Sequence, residues 1–403
     1  MSIFRLLTAG CVAILAAISG MVPGALAAGD EIVIGAPISL TGIFAADGLE
    51  QKWGYEQAIA DANARGGVFV KAAGKKLPVR LVVADDESEP GKVAGAMERL
   101  IKVDKVDLLL STHGGPMNVA GAIVAEKYKK FYMMTTCFPF MWSPQNFKWS
   151  ALFFFTAGSA AEVPFKIWNS LPEDQRPQRP ALVSEDTPDG HGFGGAFKSF
   201  AKQYGYSFAV DEPWAVGAKD YSAHILKMKA AKVDAILLFG APADSITLVR
   251  QMKEHGLSVK YLHGWKGTWT GEFHDALGKD SDYVIADGFW SADFPYAGSA
   301  ELGERYFKQF NKPSVTIGAF YANAQVLLEA IERAGTLDSA AVRDAVVGGT
   351  YENTVVGKLS FDDKGLALIE STANQWFDGK QHLFYPPVEG GWQVKLAPAW
   401  NER

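Results

Sequence analysis

Three stretches of this 403-residue chain carry residue types and spacings that could do chemistry. In Val106 to Pro116, VDLLLSTHGGP, an apolar run stops at small and polar residues, and Pro116 opens a periodic segment. That pattern reads as a buried parallel strand, a glycine-bearing turn and a helix with proline at its first position. A helix start presents unpaired backbone N–H groups and the positive end of the helix dipole, which draw anions and carboxylates. Ser111, Thr112 and His113 add side-chain donors, and Gly114 and Gly115 let a ligand approach the backbone closely. The second stretch, Gly190-His191-Gly192-Phe193-Gly194-Gly195, fits GxGxxG between a strand and a helix, with Asp211 lying 21 residues beyond Gly190. This is the dinucleotide pattern. Against it, the strand ends at Ser184, whereas the fingerprint turns directly into its first glycine. The third stretch, the acidic cluster Asp85 to Glu89, lacks the spacing of a calcium loop and reads as a solvated turn.

Catalytic signatures are missing. There is no GxSxG elbow, no GxxxxGK[ST] loop and no paired-cysteine spacing, and the seven histidines are scattered. Neither a cofactor nor a metal is expected. The net charge of -6 argues against nucleic acid, which selects a basic face.

The chain begins with Arg5, an uncharged stretch from Leu6 to Val22, Pro23-Gly24 and then Ala25-Leu26-Ala27. This is the order of an export signal with an A-x-A cleavage site, so residues 1–27 are expected to be removed. Cys11 lies inside the apolar stretch, so no lipid anchor is expected. Cleavage would leave Cys137 as the only cysteine, and hence no internal disulfide.

Beyond the signal, strand and helix patterns alternate. Glu31 to Ser39, Leu77 to Ala84, the Leu108 run and Phe131 to Thr135 read as strands, each followed by a helical period. Such a series predicts a parallel sheet covered on both faces, with ligands beyond the carboxyl ends of its strands. The loops at Thr41 to Gly48, Ser111 to Gly115 and Thr135 to Phe138 then share one rim. A second series, with strands at Pro180 to Ser184, Ser207 to Val210, Val233 to Phe239 and Val259 to Leu262, repeats the architecture. The aromatic-rich Phe138 to Phe155, then Phe289 to Tyr296 and Val355 to Asp362, read as three crossings between two lobes. The lobes are expected at 28–145 plus 292–354 and at 146–291 plus 355–403.

In this order the segments PISLTGIFAADG, LLLSTHGGP, SEDTPDGHGFGGAF, GAKDYSAHILKMKAAKVDAILLFG and IGAFYANAQVLLEAI resemble the periplasmic solute-binding proteins of branched-chain amino acid ABC importers. The resemblance covers essentially the whole mature chain. It implies an α/β fold of two Rossmann-like lobes joined by a three-segment hinge, the type I periplasmic-binding-protein fold. It also implies a non-enzymatic, monomeric receptor in the periplasm. Its partners would be a small solute and an inner-membrane ABC permease with its ATPases. A ligand-sensing role for a signalling system is the alternative, and a nucleotide-dependent oxidoreductase a more distant one. Family ligand contacts fall on Asp47, on Ser111, His113, Gly114 and Gly115, and on Thr135, Thr136, Cys137 and Phe138. In the second lobe they fall on Asp189, Pro242, Trp265 and Lys266. Amino acid binders of the family pair the ligand ammonium with an acid where this chain has Trp265-Lys266. A lysine there leaves two readings. Either Glu185, Asp186 or Asp189 supplies the acid, or the solute is an amine-free organic or aromatic acid, the reading favoured from sequence.

Overall fold

The computed structural model describes residues 29–388 and 390–403, so the expected signal peptide lies outside the described residues. Short runs of Ile, Val, Leu and Phe form two sheets, each fed by helices that cover both faces. The first is a six-stranded sheet in spatial order Leu366–Leu368, Ser150–Phe154, Tyr132–Met134, Leu108–Leu110, Ile32–Ile38, Val79–Asp85. Every pairing in it is parallel. Leu108, Leu109 and Leu110 are fully buried, as a strand covered by helices on both faces requires.

The second sheet has seven strands, in spatial order Lys380–Tyr385, Thr372–Phe377, Ile285–Gly288, Tyr261–Lys266, Ala235–Gly240, Pro180–Glu185, Val210–Trp214. Its Thr372–Phe377 strand runs antiparallel to both of its neighbours, Ile285–Gly288 and Lys380–Tyr385. The C-terminal tail is tied onto this lobe. The Gln375 side-chain oxygen accepts from Trp392 Nε1 and Lys395 N, and Trp400 Nε1 donates to Leu257 O.

The helix Ile317–Ala334 returns to the first lobe and lies along the helix Ala45–Ala64. Gly54 makes that approach possible, because a Cβ there would sit 2.8 Å from the Cβ of Phe320. Helix Ser299–Phe310 joins the same layer. Arg305 forms a fork with Asp61, and Trp53 Nε1 donates to Gln309.

Two crossings fall later in the chain than the residue pattern suggests. The aromatic segment after Phe138 contains the fifth strand of the first sheet, Ser150–Phe154, so the first crossing shrinks to Phe155 and Thr156. Prolines and polar residues around 139–148 obscure that strand in the sequence. Val355 to Asp362 is likewise no crossing: it overlaps the hairpin of Thr350–Thr354 and Gly357–Ser360. Leu366–Leu368 then pairs with Ser150–Phe154, placing the third crossing at 369–371. The expected breaks at 145/146 and 354/355 therefore lie inside the first lobe. The second crossing leaves Ile285–Gly288 at Phe289, as expected. Phe154, Phe155 and Phe289 pack together there, with ring centroids 4.2 to 6.0 Å apart.

Candidate functional site

The carboxyl ends of the two sheets face each other, and the rim of the first lobe is wired by buried amides and hydroxyls. Gln51 Nε2 and Tyr55 OH donate to the Ser111 carbonyl, at 2.7 and 3.0 Å. Asn323 Nδ2 donates to Ser111 Oγ and to Met133 O, both at 3.1 Å. Asn118 Nδ2 bridges Thr112 O and Thr135 O, while its Oδ1 accepts from Tyr132 OH at 2.9 Å. Asp86 accepts from the hydroxyls of Ser39 and Thr112. The loops Ser111–Gly115 and Thr135–Phe138 are thus held as one rigid unit, which a binding surface needs. Thr136 sits at φ 53°, strained for a β-branched residue and sustained by this network. Cys137 is fully buried against the Gly115 carbonyl, and burial, then the charge of Asp189, pushes its thiol well up.

In the second lobe, Glu185 ends one strand and Lys266 another, on either side of Ala235–Gly240. Lys266 Nζ donates to Glu185 Oε1 at 2.5 Å, with Asp189 Oδ2 at 4.0 Å. The ammonium lies over the rings of Phe239 and Phe44, 5.1 and 5.2 Å from their centroids. Burial opposes its charge, but Glu185 and Asp189 together hold its pKa above the usual lysine value. Lys266 also has φ 64°, so both jaws carry a non-glycine residue in the left-handed region. Burial raises the Asp189 carboxyl to about 6, against the pull of Lys266.

Trp265 and Pro242 do not join this group. Trp265 is fully buried on the helix side of its sheet, stacked on His263 at 4.0 Å and packed against Phe197 at 4.7 Å. The strand continues to Lys266 rather than ending at Leu262, so alternation turns Trp265 into the lobe interior. Pro242 opens the helix Pro242–Glu254, whose first turn packs on Gly267 through Ser245. Nor is the GxGxxG stretch a phosphate loop: Gly190 to Gly195 lie inside the helix Pro188–Tyr204, capped by Thr187. Its glycines serve packing, since a Cβ on Gly190 would meet Glu185 O at 2.0 Å and one on Gly192 the Phe140 ring at 2.3 Å.

Across the seam the two jaws touch. A Cβ on Gly115 of the first lobe would lie 2.7 Å from Asp189 Oδ1 of the second, and the Gly115 backbone N–H opposes the rise in the Asp189 pKa. His113 faces Asp47, with Nε2 to Oδ2 at 3.9 Å, beyond hydrogen-bond reach. Burial, then Lys266, depresses the His113 pKa to about 3, so His113 is neutral near pH 7, and burial, then Glu50, raises the Asp47 carboxyl well above the usual carboxylate range. Around His113 stand Phe44, Phe320 and, from the second lobe, Trp269, with centroids 5.5 to 6.2 Å away. Glu50 accepts from Ser314 and Tyr306 of its own lobe and is approached by the Gly271 N–H of the other.

Sequence reasoning missed Trp269, Phe44, Phe239 and Glu50 as site residues. The signal for Trp269 was available: once the strand is extended to Lys266, Trp269 is the tryptophan that falls beyond its carboxyl end. Several seam atoms are buried without a partner: both oxygens of Asp47, Glu185 Oε2, Asp189 Oδ1, His113 Nδ1 and Thr270 Oγ1. Among the described residues no cluster of His, Cys, Asp and Glu is arranged to hold a metal ion, and no helix is long and apolar enough to cross a membrane.

Two α/β lobes, three short crossings and a polar seam at the carboxyl ends of both sheets define a type I periplasmic binding protein. The chain belongs to the periplasmic binding protein family, which it matches over residues 31–372. It is similar to a Leu/Ile/Val-binding protein homolog of Brucella abortus, 25% identical over 359 residues, covering 88% of this chain and 93% of the relative. Its fold is similar to that of a branched-chain amino acid transporter substrate-binding protein from Streptococcus pneumoniae in complex with isoleucine. There the TM-score is 0.74 and the identity 19%, over 87% of this chain and 97% of the other. A solute-binding protein of an ABC transporter from Rhodopseudomonas palustris, in complex with 3,4-dihydroxybenzoic acid, matches with TM-score 0.73 and 18% identity, over 93% and 100% of the two chains. Proteins of this family bind small solutes for ABC transporters, work with permease and ATPase components, and are periplasmic.

Proposed function

We propose that this protein captures an amine-bearing carboxylate, an amino acid, between its lobes and presents it to an ABC importer. The observation that carries this reading is the imbalance of the seam. One ammonium, Lys266, faces the three carboxyl groups of Glu185, Asp189 and Asp47, and four carboxyl oxygens there are buried without donors. A site rich in orphan acceptors favours a ligand that brings N–H donors and positive charge. The lysine that suggested an amine-free anion is paired with Glu185, which supports the amine-bearing reading. The rigid Ser111–Gly115 turn, at the start of the helix Gly115–Tyr128, offers the ligand carboxylate its subsite.

The rings around His113, with the dihydroxybenzoate bound to the Rhodopseudomonas neighbour, favour an aromatic acid as the second reading. Calorimetry with L-leucine, its keto acid 4-methyl-2-oxopentanoate, L-phenylalanine and 3,4-dihydroxybenzoate separates the two. The amino acids should bind at least tens of fold more tightly than the keto acid, the worth of a charge-assisted hydrogen bond. Equal affinity for leucine and its keto acid, or binding of dihydroxybenzoate alone, refutes the amino-acid reading.

A further inference from the structure

We propose that Asp287 is the positioning residue that sets solute selectivity, by holding the indole of Trp269 in the seam. This assignment rests on the solute lying between the lobes.

Trp269 follows the Lys266 turn in the second lobe, is 2% exposed, and lies across the seam from His113, with ring centroids 6.2 Å apart at 76°. Its Nε1–H donates to Asp287 Oδ1. Asp287 is 1% exposed, lies in the strand Ile285–Gly288, and is two residues before Phe289, the start of the second crossing. Trp269 also packs edge-on against Phe289, with centroids 5.1 Å apart at 89°. One indole therefore touches the opposite lobe, the crossing and a buried acid.

No salt bridge joins Asp287 to a cation among the described residues; its carboxyl meets the Trp269 Nε1–H and lies by the Ser371 hydroxyl. A buried, unpaired carboxyl group is costly, and an apolar residue would fill the same space at less cost. What the acid adds is direction. A tryptophan has several staggered rotamers, and a strong acceptor at one place selects the rotamer that puts the N–H there. The position of the ring against His113 is then fixed, and with it the width of the cleft available to a solute side chain. A loosely held indole could swing and admit larger groups.

The test uses the full mature chain with tryptophan labelled by nitrogen-15, and L-leucine and L-phenylalanine as probes. The indole N–H resonance of Trp269 is assigned by its loss in Trp269→Phe. In Asp287→Asn, which keeps an oxygen acceptor, the resonance and the leucine-to-phenylalanine affinity ratio should stay near wild type. In Asp287→Leu the resonance should move upfield and the ratio should change by about tenfold or more, the scale on which a hydrophobic pocket discriminates. Trp269→Phe, which removes the N–H donor together with one ring of the indole, should alter the ratio in the same direction, so the role of the indole can be read even where Asp287→Leu folds poorly. An unmoved resonance in Asp287→Leu, or a moved one with an unaltered ratio there and in Trp269→Phe, overturns the assignment while amino acid binding stands. A wild type that binds neither probe overturns the amino-acid reading and the selectivity assignment together.

Discussion

Replacing Lys266 with methionine tests the seam most directly, because the ion pair it breaks is buried on both sides. The Lys266 and Glu185 side chains are 6% and 3% exposed, with Nζ and Oε1 2.5 Å apart. At an effective dielectric of about 20, Coulomb's law gives about 7 kcal/mol of attraction at that separation, largely offset by the desolvation of both ions. Methionine keeps the length and apolar stem of the lysine but leaves the Glu185 carboxylate buried without its cation. The expected loss of stability is about 3–5 kcal/mol. An exposed pair would be worth less than about 1 kcal/mol. The double variant Lys266→Met, Glu185→Leu removes both charges and should lie within about 1–2 kcal/mol of wild type, since an apolar pair of similar volume replaces a buried ion pair at little cost. Urea unfolding followed by both far-ultraviolet circular dichroism and tryptophan fluorescence measures these differences, and coincident transitions license the free energies. A single-variant cost below about 1 kcal/mol, or a double variant at least as destabilised as the single one, would refute the buried pair.

Three further perturbations follow from the same seam. Asp189 has its pKa raised to about 6 from 3.8, so the native state favours its neutral form; the stabilisation is complete below about pH 4 and is lost as pH rises through 6. Relative to wild type, Asp189→Asn should therefore gain up to about 3 kcal/mol between pH 4 and pH 7 in urea titrations, and a pH-independent difference rules out the buried acid. His113 has the opposite sign: with its pKa depressed from 6.5 to about 3, its contribution is intact above 6.5 and lost as pH falls toward 3. The stability gap between His113→Asn and wild type should shift toward the variant by about 4–5 kcal/mol over that range, and a flat gap would mean that His113 is solvated. Finally, Gly115→Ala places a Cβ 2.5 Å from Met141 Sδ and 2.7 Å from Asp189 Oδ1, so both side chains must shift for the lobes to meet and the Asp189 carboxyl is displaced from the seam. Calorimetry should show amino acid affinity reduced at least about tenfold with little change in unfolding, and unchanged affinity would place the seam elsewhere.

How much of this was legible follows from the range of each interaction. Alternating strand and helix periods are local, so the parallel sheets, the two-lobed plan and the rim loops at Ser111–Gly115 and Thr135–Phe138 could be read from the chain. His113, Asp47, Asp189 and Lys266 do meet at one seam. The strand Ser150–Phe154 could not be read, because it lacks polar alternation and follows a proline-bearing aromatic stretch. Trp265 was misplaced for a one-element reason: where a strand ends decides which of its residues turn inward and which residue first faces the cleft.

The sequence by itself determined the class of protein, through the order of its motifs and their resemblance to the periplasmic solute-binding proteins, which needs no knowledge of distant contacts. The VDLLLSTHGGP stretch is one jaw of the seam, as its residue types imply. Only the tertiary structure decided the charge of the opposing jaw. Glu185 and Lys266 are 81 residues apart in the chain and meet because their strands flank the same third strand. That meeting depends on sheet order, and its consequence, a lysine already neutralised and carboxyl groups left wanting donors, depends on burial between two lobes. Neither sheet order nor burial between lobes is a property of any local stretch of residues.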